Sequence, residues 1–135
     1  MIDSSKRLFK KEYSFELLKI AKGDLESAVS LSTVKNVGRP ENIVFLTQQS
    51  VEKALKATLN FLEIPFPLVH DLGILVALIP DEKMPPGQFH LNELTPYASV
   101  RRYEESISEL TSDEVNAALD AASAVIKWAE SYIKL

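Results

Sequence analysis

Cysteine is absent from the 135 residues, which excludes disulfides, thiolate nucleophiles and cysteine-ligated zinc and fits a reducing compartment. Histidine occurs only as His70 and His90, too few for a histidine-rich metal site. The four glycines are dispersed, so there is no phosphate-cradling loop, no G-x-S-x-G turn and no dinucleotide fold. Neither H-E-x-x-H nor the Glu-x-x-His of di-metal bundles occurs, and nothing in the sequence implies a cofactor. No apolar run approaches the ~20 residues of a membrane span. Met1-Ile2-Asp3-Ser4-Ser5 leads into charge instead of a signal-peptide core, so a cytoplasmic protein without membrane contact is expected.

What is present describes an ordinary globular chain, 46% hydrophobic and 25% charged, long enough for one core and one domain over residues 1–135. A net charge of −4 and a pI near 5.2 argue against nucleic-acid binding through bulk charge. The charge is uneven: residues 1–67 carry ten Lys/Arg against eight Asp/Glu, and residues 68–135 five against eleven. Lys6, Arg7, Lys10 and Lys11 form one basic cluster, which near a terminus reads as a solvated segment.

The hydrophobic pattern is helical throughout. A first helix is expected over Ser14 to Ser32, with Leu17, Leu18, Ala21, Leu25 and Ala28 on one face and Ser14 as its cap. After Asn36-Val37-Gly38-Arg39, Pro40 opens a second helix, which Ile64-Pro65-Phe66-Pro67 ends near Leu62. A short third helix covers Asp71 to Ile79. Pro80 to Gln88 is a loop, and a second short helix, interrupted by Pro96, covers Leu91 to Arg102. Thr111-Ser112-Asp113-Glu114 is a capping box, and the long apolar face from Val115 to Ile133 follows it. The expected fold is therefore all-α: an antiparallel up-and-down bundle of three long and about two short helices. Ala117, Ala121, Ala124 and Trp128 give the last helix a second small-residue face, which predicts a symmetric homodimer or a helix sandwiched within its own chain.

The most informative stretch is Gln48-Gln49-Ser50-Val51-Glu52-Lys53-Ala54-Leu55-Lys56-Ala57 in the second helix. Gln49, Glu52, Lys53 and Lys56 share one face, continued by Asn60, while the rest of the circumference is apolar. So wide an apolar sector marks a central helix. The plain account of the stripe is a solvated Glu52–Lys56 pair of roughly 0.3–0.5 kcal/mol. The other is a binding surface, in which Lys53, Lys56 and Arg102 hold phosphate oxygens, Tyr103 or Phe45 stacks on a base, and Glu52 orients a cation or accepts from a ribose hydroxyl. A buried network joining Glu52 to Arg102 would serve packing alone.

The order of these pieces resembles the HEPN domain, the "higher eukaryotes and prokaryotes nucleotide-binding" family. The resemblance spans most of the chain. It rests on Ala21-Lys22-Gly23-Asp24-Leu25-Glu26-Ser27-Ala28, on the Q-x-x-E-K-x-x-K pattern within residues 48–57, on His70-Asp71-Leu72 with Leu75, and on Arg101-Arg102-Tyr103. It implies a helical bundle that commonly dimerises and is often paired with a minimal nucleotidyltransferase in toxin–antitoxin-like systems. Some members cleave RNA without metal, using Arg followed after four to six residues by His. In this chain Arg7, Arg39, Arg101 and Arg102 all lack that histidine, and Lys83 to His90 is a coincidental imitation.

Three functions stay open on the sequence. The first is a nucleotide- or RNA-binding protein using Gln49, Glu52, Lys53, Lys56, Arg102 and Tyr103, with a nucleotidyltransferase partner. The second is a metal-independent endoribonuclease with a rearranged site at His70 and Arg102, His70 being otherwise a helix-start residue beside Asp71. The third is a protein-docking scaffold.

Overall fold

The computed structural model of the protein describes residues 9–34, 39–87, 90–98 and 110–134. Among these residues every regular element is helical. The long helices are α1 (Lys11–Ser32), α2 (Pro40–Phe61) and α4 (Ser112–Tyr132), and the six-residue α3 (Leu72–Ala77) lies between α2 and α4. Two 3₁₀ helices, Asp81–Lys83 and Leu91–Ala98, occupy the remaining connection. The all-α bundle expected from the periodicity is the observed architecture.

Helix α2 is central, packing against α1, α4, α3 and the longer 3₁₀ helix. Its apolar sector, with Val51, Ala54, Leu55, Ala57 and Leu59 fully buried, meets the α1 face of Leu17, Leu18 and Ala21 and the α4 face of Ala122, Val125 and Ala129 in one continuous core. Helices α1 and α2 are antiparallel: Ser14, early in α1, accepts a 2.7 Å hydrogen bond from Asn60 near the end of α2, and Ala21 meets Ser50 in the middle. The small pair permits close approach, with Ser50 Oγ donating to the Ala21 carbonyl at 2.7 Å.

The helix ends follow local chemistry in most places. Pro40 sits in the first turn of α2 as expected. At its far end Glu63 takes a left-handed conformation (φ 61°), and the Ile64 amide donates back to the Leu59 carbonyl at 2.9 Å. Helices often close in this way, ordinarily with glycine at that position. The Thr111–Glu114 capping box of α4 is present in both directions, each bond 3.1 Å long. Thr111→Ala is expected to lower stability by about 1 kcal/mol, read as a shift in the urea midpoint at unchanged slope.

Two expectations are corrected. Helix α1 starts three residues before Ser14, and Ser14 is not a cap but a fully buried partner of Asn60. The segment from Leu91 is a 3₁₀ helix, not an α-helix. Its Pro96 has no amide hydrogen to give to an α ladder. Trp128 of α4 donates its indole N–H to the Lys83 carbonyl at 2.8 Å, so part of the second α4 face is covered by the chain's own 3₁₀ turn. None of the helices described is long and apolar enough to cross a membrane.

Candidate functional site

The polar residues of α2 form two adjacent rows. Gln48, Glu52 and Lys56 recur every four residues on one, and Gln49 and Lys53 on the other, so each side chain reaches the next along the helix. Lys53 Nζ donates to Gln49 Oε1 at 2.7 Å, Gln49 Nε2 to Gln48 Oε1 at 2.9 Å, and Gln48 Nε2 to Glu52 Oε1 at 3.2 Å. Lys56 Nζ donates to Glu52 Oε2 at 3.1 Å from the other side. Donors thus converge on the Glu52 carboxylate from both directions. Across the helix pair, Lys53 lies 3.7 Å from Asp24 of α1.

This is not the solvated pair that the spacing alone suggests. Glu52 is 3% exposed and Lys56 9%, because α2 is enclosed by its neighbours. Gln48 is completely buried, and its amide is satisfied at both ends. Burial pushes the Glu52 carboxyl up, but the hydrogen bonds from His70, Lys56 and Gln48 outweigh it and hold the group below the ordinary carboxylate range. Asp24 goes the other way: desolvation raises it more than Lys53 lowers it.

The row reaches the surface at His70. Its Nδ1 lies 2.8 Å from Glu52 Oε1, while the side chain is 69% exposed. The backbone holds this residue as firmly as the side chain does. Gln48 Nε2 also donates to the His70 carbonyl at 3.1 Å, and the next residue, Asp71, caps α3 by accepting from the Ile74 amide at 3.1 Å. The other early amides of α3 are taken by the longer 3₁₀ helix, Leu72 by Thr95 Oγ1 at 3.0 Å and Gly73 by Asn92 Oδ1 at 3.3 Å. A Cβ on Gly73 would stand 3.1 Å from Asn92, so a small residue suits this contact. The capping role expected near His70 therefore belongs to Asp71, and His70 is free to pair with Glu52.

The structure accordingly brings together Gln49, Glu52, Lys53, Lys56 and His70. Arg102 and Tyr103 lie outside the described residues. Two members were not singled out as site residues from the sequence, Gln48 and Asp24. Gln48 was signalled by its four-residue spacing from Glu52; the Asp24 contact crosses between helices and carries no local signal. His90 differs from His70 in its carboxylate: its Nδ1 is 3.5 Å from Glu93, whose side chain is 78% exposed. Among the described residues no cluster of three or more metal-ligating side chains occurs.

The chemistry available is that of a neutral row. Asp24 offsets Lys53, Glu52 offsets Lys56, and the opening is an imidazole carried on a buried carboxylate. Among curated proteins none matches the chain. The crystal structure of an archaeal HEPN homologue is similar at 25% identity and a TM-score of 0.70, over 90% of this chain and 98% of that one. The family model for the HEPN domain matches residues 15–132, which include α2, the Glu52–His70 pair, most of α1 and all of α4, and the chain therefore belongs to the HEPN domain family.

Proposed function

We propose that the protein binds a nucleotide or RNA at the edge of α2 marked by Gln49, Lys53 and His70, with Arg102 and Tyr103 completing the site, and that it works as a dimer with a minimal nucleotidyltransferase partner in a toxin–antitoxin-like pair. HEPN is a nucleotide-binding, RNA-related family. The observation that carries the reading is the buried, hydrogen-bonded charge row that opens at one exposed imidazole. A buried ion pair is a poor device for stability, since well-packed apolar residues of similar volume often serve at least as well. Its presence on the central helix fits a site that must hold charge in a fixed place.

The geometry divides the roles expected of the two lysines. Lys56 is committed to Glu52 inside the core, so it acts by holding the carboxylate. Lys53 is half-buried, gives one hydrogen bond to Gln49 at 2.7 Å and stands 3.7 Å from Asp24, so the remaining donors of its ammonium can turn to a phosphate. Lys53→Ala combined with Arg102→Ala is expected to weaken binding of adenosine monophosphate or a short RNA at least tenfold in calorimetric titration. The melting temperature should change by only a few degrees. A large fall in melting temperature with no ligand detectable for the wild type would instead assign the row to packing.

A second reading, metal-independent RNA cleavage, is favoured by the same imidazole–carboxylate pair, which is the usual means of holding a general base. Incubation of the protein with RNA in chelator separates the two: cleavage lost in His70→Ala supports the nuclease, and binding without cleavage supports the first reading.

A further inference from the structure

The two histidines of this chain are both exposed and both stand beside a glutamate, yet their settings differ in the one respect that fixes a tautomer. His90 faces a solvated carboxylate at 3.5 Å, too far for a firm hydrogen bond, so among the described residues no buried acceptor selects which ring nitrogen carries its proton. His70 faces a carboxylate that is 3% exposed, 2.8 Å away, and held ionised by Lys56 and Gln48. An ionised carboxylate only accepts. Nδ1 of His70 must therefore carry the hydrogen, and in the neutral ring Nε2 is left with its lone pair on the exposed part of the side chain.

That conclusion limits what a ligand can offer to this atom. A phosphate oxygen also accepts, so it does not pair with Nε2 of the neutral ring. A hydroxyl donates and does pair. We infer that Glu52 is a positioning residue that presents His70 Nε2 as a hydrogen-bond acceptor for a ribose hydroxyl, so the site selects ribonucleotides over nucleotides lacking those hydroxyls. The inference rests on the nucleotide reading above and adds the recognising atom and the group recognised. The same segment carries exposed apolar side chains, Leu68 at 90% and Ile74 at 45%, suited to lie against a sugar or base.

Long-range proton–nitrogen NMR of the full chain, followed upward in pH until the ring is neutral, tests the tautomer directly. His70 is expected with hydrogen on Nδ1 and a bare Nε2, and His90 serves as the internal reference. In Glu52→Gln the side chain no longer offers an ionised, acceptor-only group, so the preference of His70 for hydrogen on Nδ1 is expected to weaken. A wild-type His70 protonated on Nε2 overturns the inference. Titration with adenosine monophosphate and its 2′,3′-dideoxy analogue supplies the ligand arm. The ribose form is expected to bind at least tenfold tighter and to shift the Nε2 resonance, and the preference should disappear in His70→Phe, an exposed substitution that keeps the fold. Equal binding of both nucleotides overturns the hydroxyl contact and leaves the nucleotide reading standing. Binding of neither nucleotide nor a short RNA overturns both.

Discussion

Glu52→Ala is expected to destabilise the protein by about 3–5 kcal/mol at neutral pH, because it leaves the Lys56 ammonium in the core without its counter-ion. The substitution does three things at once: it unpairs a lysine that is 9% exposed, removes an acceptor from the buried Gln48 amide and frees His70 from its tether. Lys56→Met leaves the opposite charge unpaired and should also destabilise. Glu52→Leu together with Lys56→Met should recover much of the loss, since taking out both charges also removes the penalty of desolvating them. Urea unfolding of the four proteins measures each loss and the recovery. A Glu52→Ala protein within 1 kcal/mol of the wild type would mean that water reaches the carboxylate. The pH dependence gives a second readout. The folded-state pKa of Glu52 is lowered, so its contribution is full above the ordinary carboxylate range and is lost as pH falls through the depressed value. The gap between wild type and Glu52→Ala should therefore narrow in acid.

Much of this architecture is legible in the sequence because it is set by neighbours in the chain. Pro40 opening α2, the prolines after Ile64, and Thr111 with Glu114 act within a turn or two of where they stand, and each does in the fold what its chemistry predicts. Ser14 shows where such signals fail. A serine ahead of an apolar repeat looks like a cap, but Lys11, Glu12 and Tyr13 carry the helix back past it, and a hydrogen bond from Asn60, 46 residues away, claims the hydroxyl. Tertiary contact overrides local preference there.

The site divides in the same way. Helical spacing correctly puts Gln49, Glu52, Lys53 and Lys56 within reach of one another, but spacing says nothing of what lies outside the helix. Whether a polar stripe faces water or a neighbour depends on how α1, α3 and the longer 3₁₀ helix are laid around α2, and those contacts are long-range. The enclosure changes the Glu52–Lys56 pair from a solvated surface contact into buried chemistry. It also explains why the pairing of His70 with Glu52 was not legible: the carboxylate is 18 positions earlier, joined to His70 through a proline-containing turn. Asp71, whose partner is three residues on, was within the range of local reasoning.

If fold and site are carried by opposite sides of α2, they should fail separately. Leu55 is fully exposed to its neighbours and not at all to solvent, at 0%, and it belongs to the core cluster shared with α1 and α4. Leu55→Ala is expected to lower stability by about 2–5 kcal/mol, from the apolar atoms removed and the cavity left behind. Leu68→Ala, at a position 90% exposed, should stay within about 0.5 kcal/mol. Below the unfolding transition Leu55→Ala should still show His70 with hydrogen on Nδ1 and should bind nucleotide as the wild type does, because no atom of Leu55 takes part in the hydrogen-bonded row. Loss of the His70 tautomer in a folded Leu55→Ala protein would show that core packing itself aims the row, and the two sides of α2 would then be one cooperative unit.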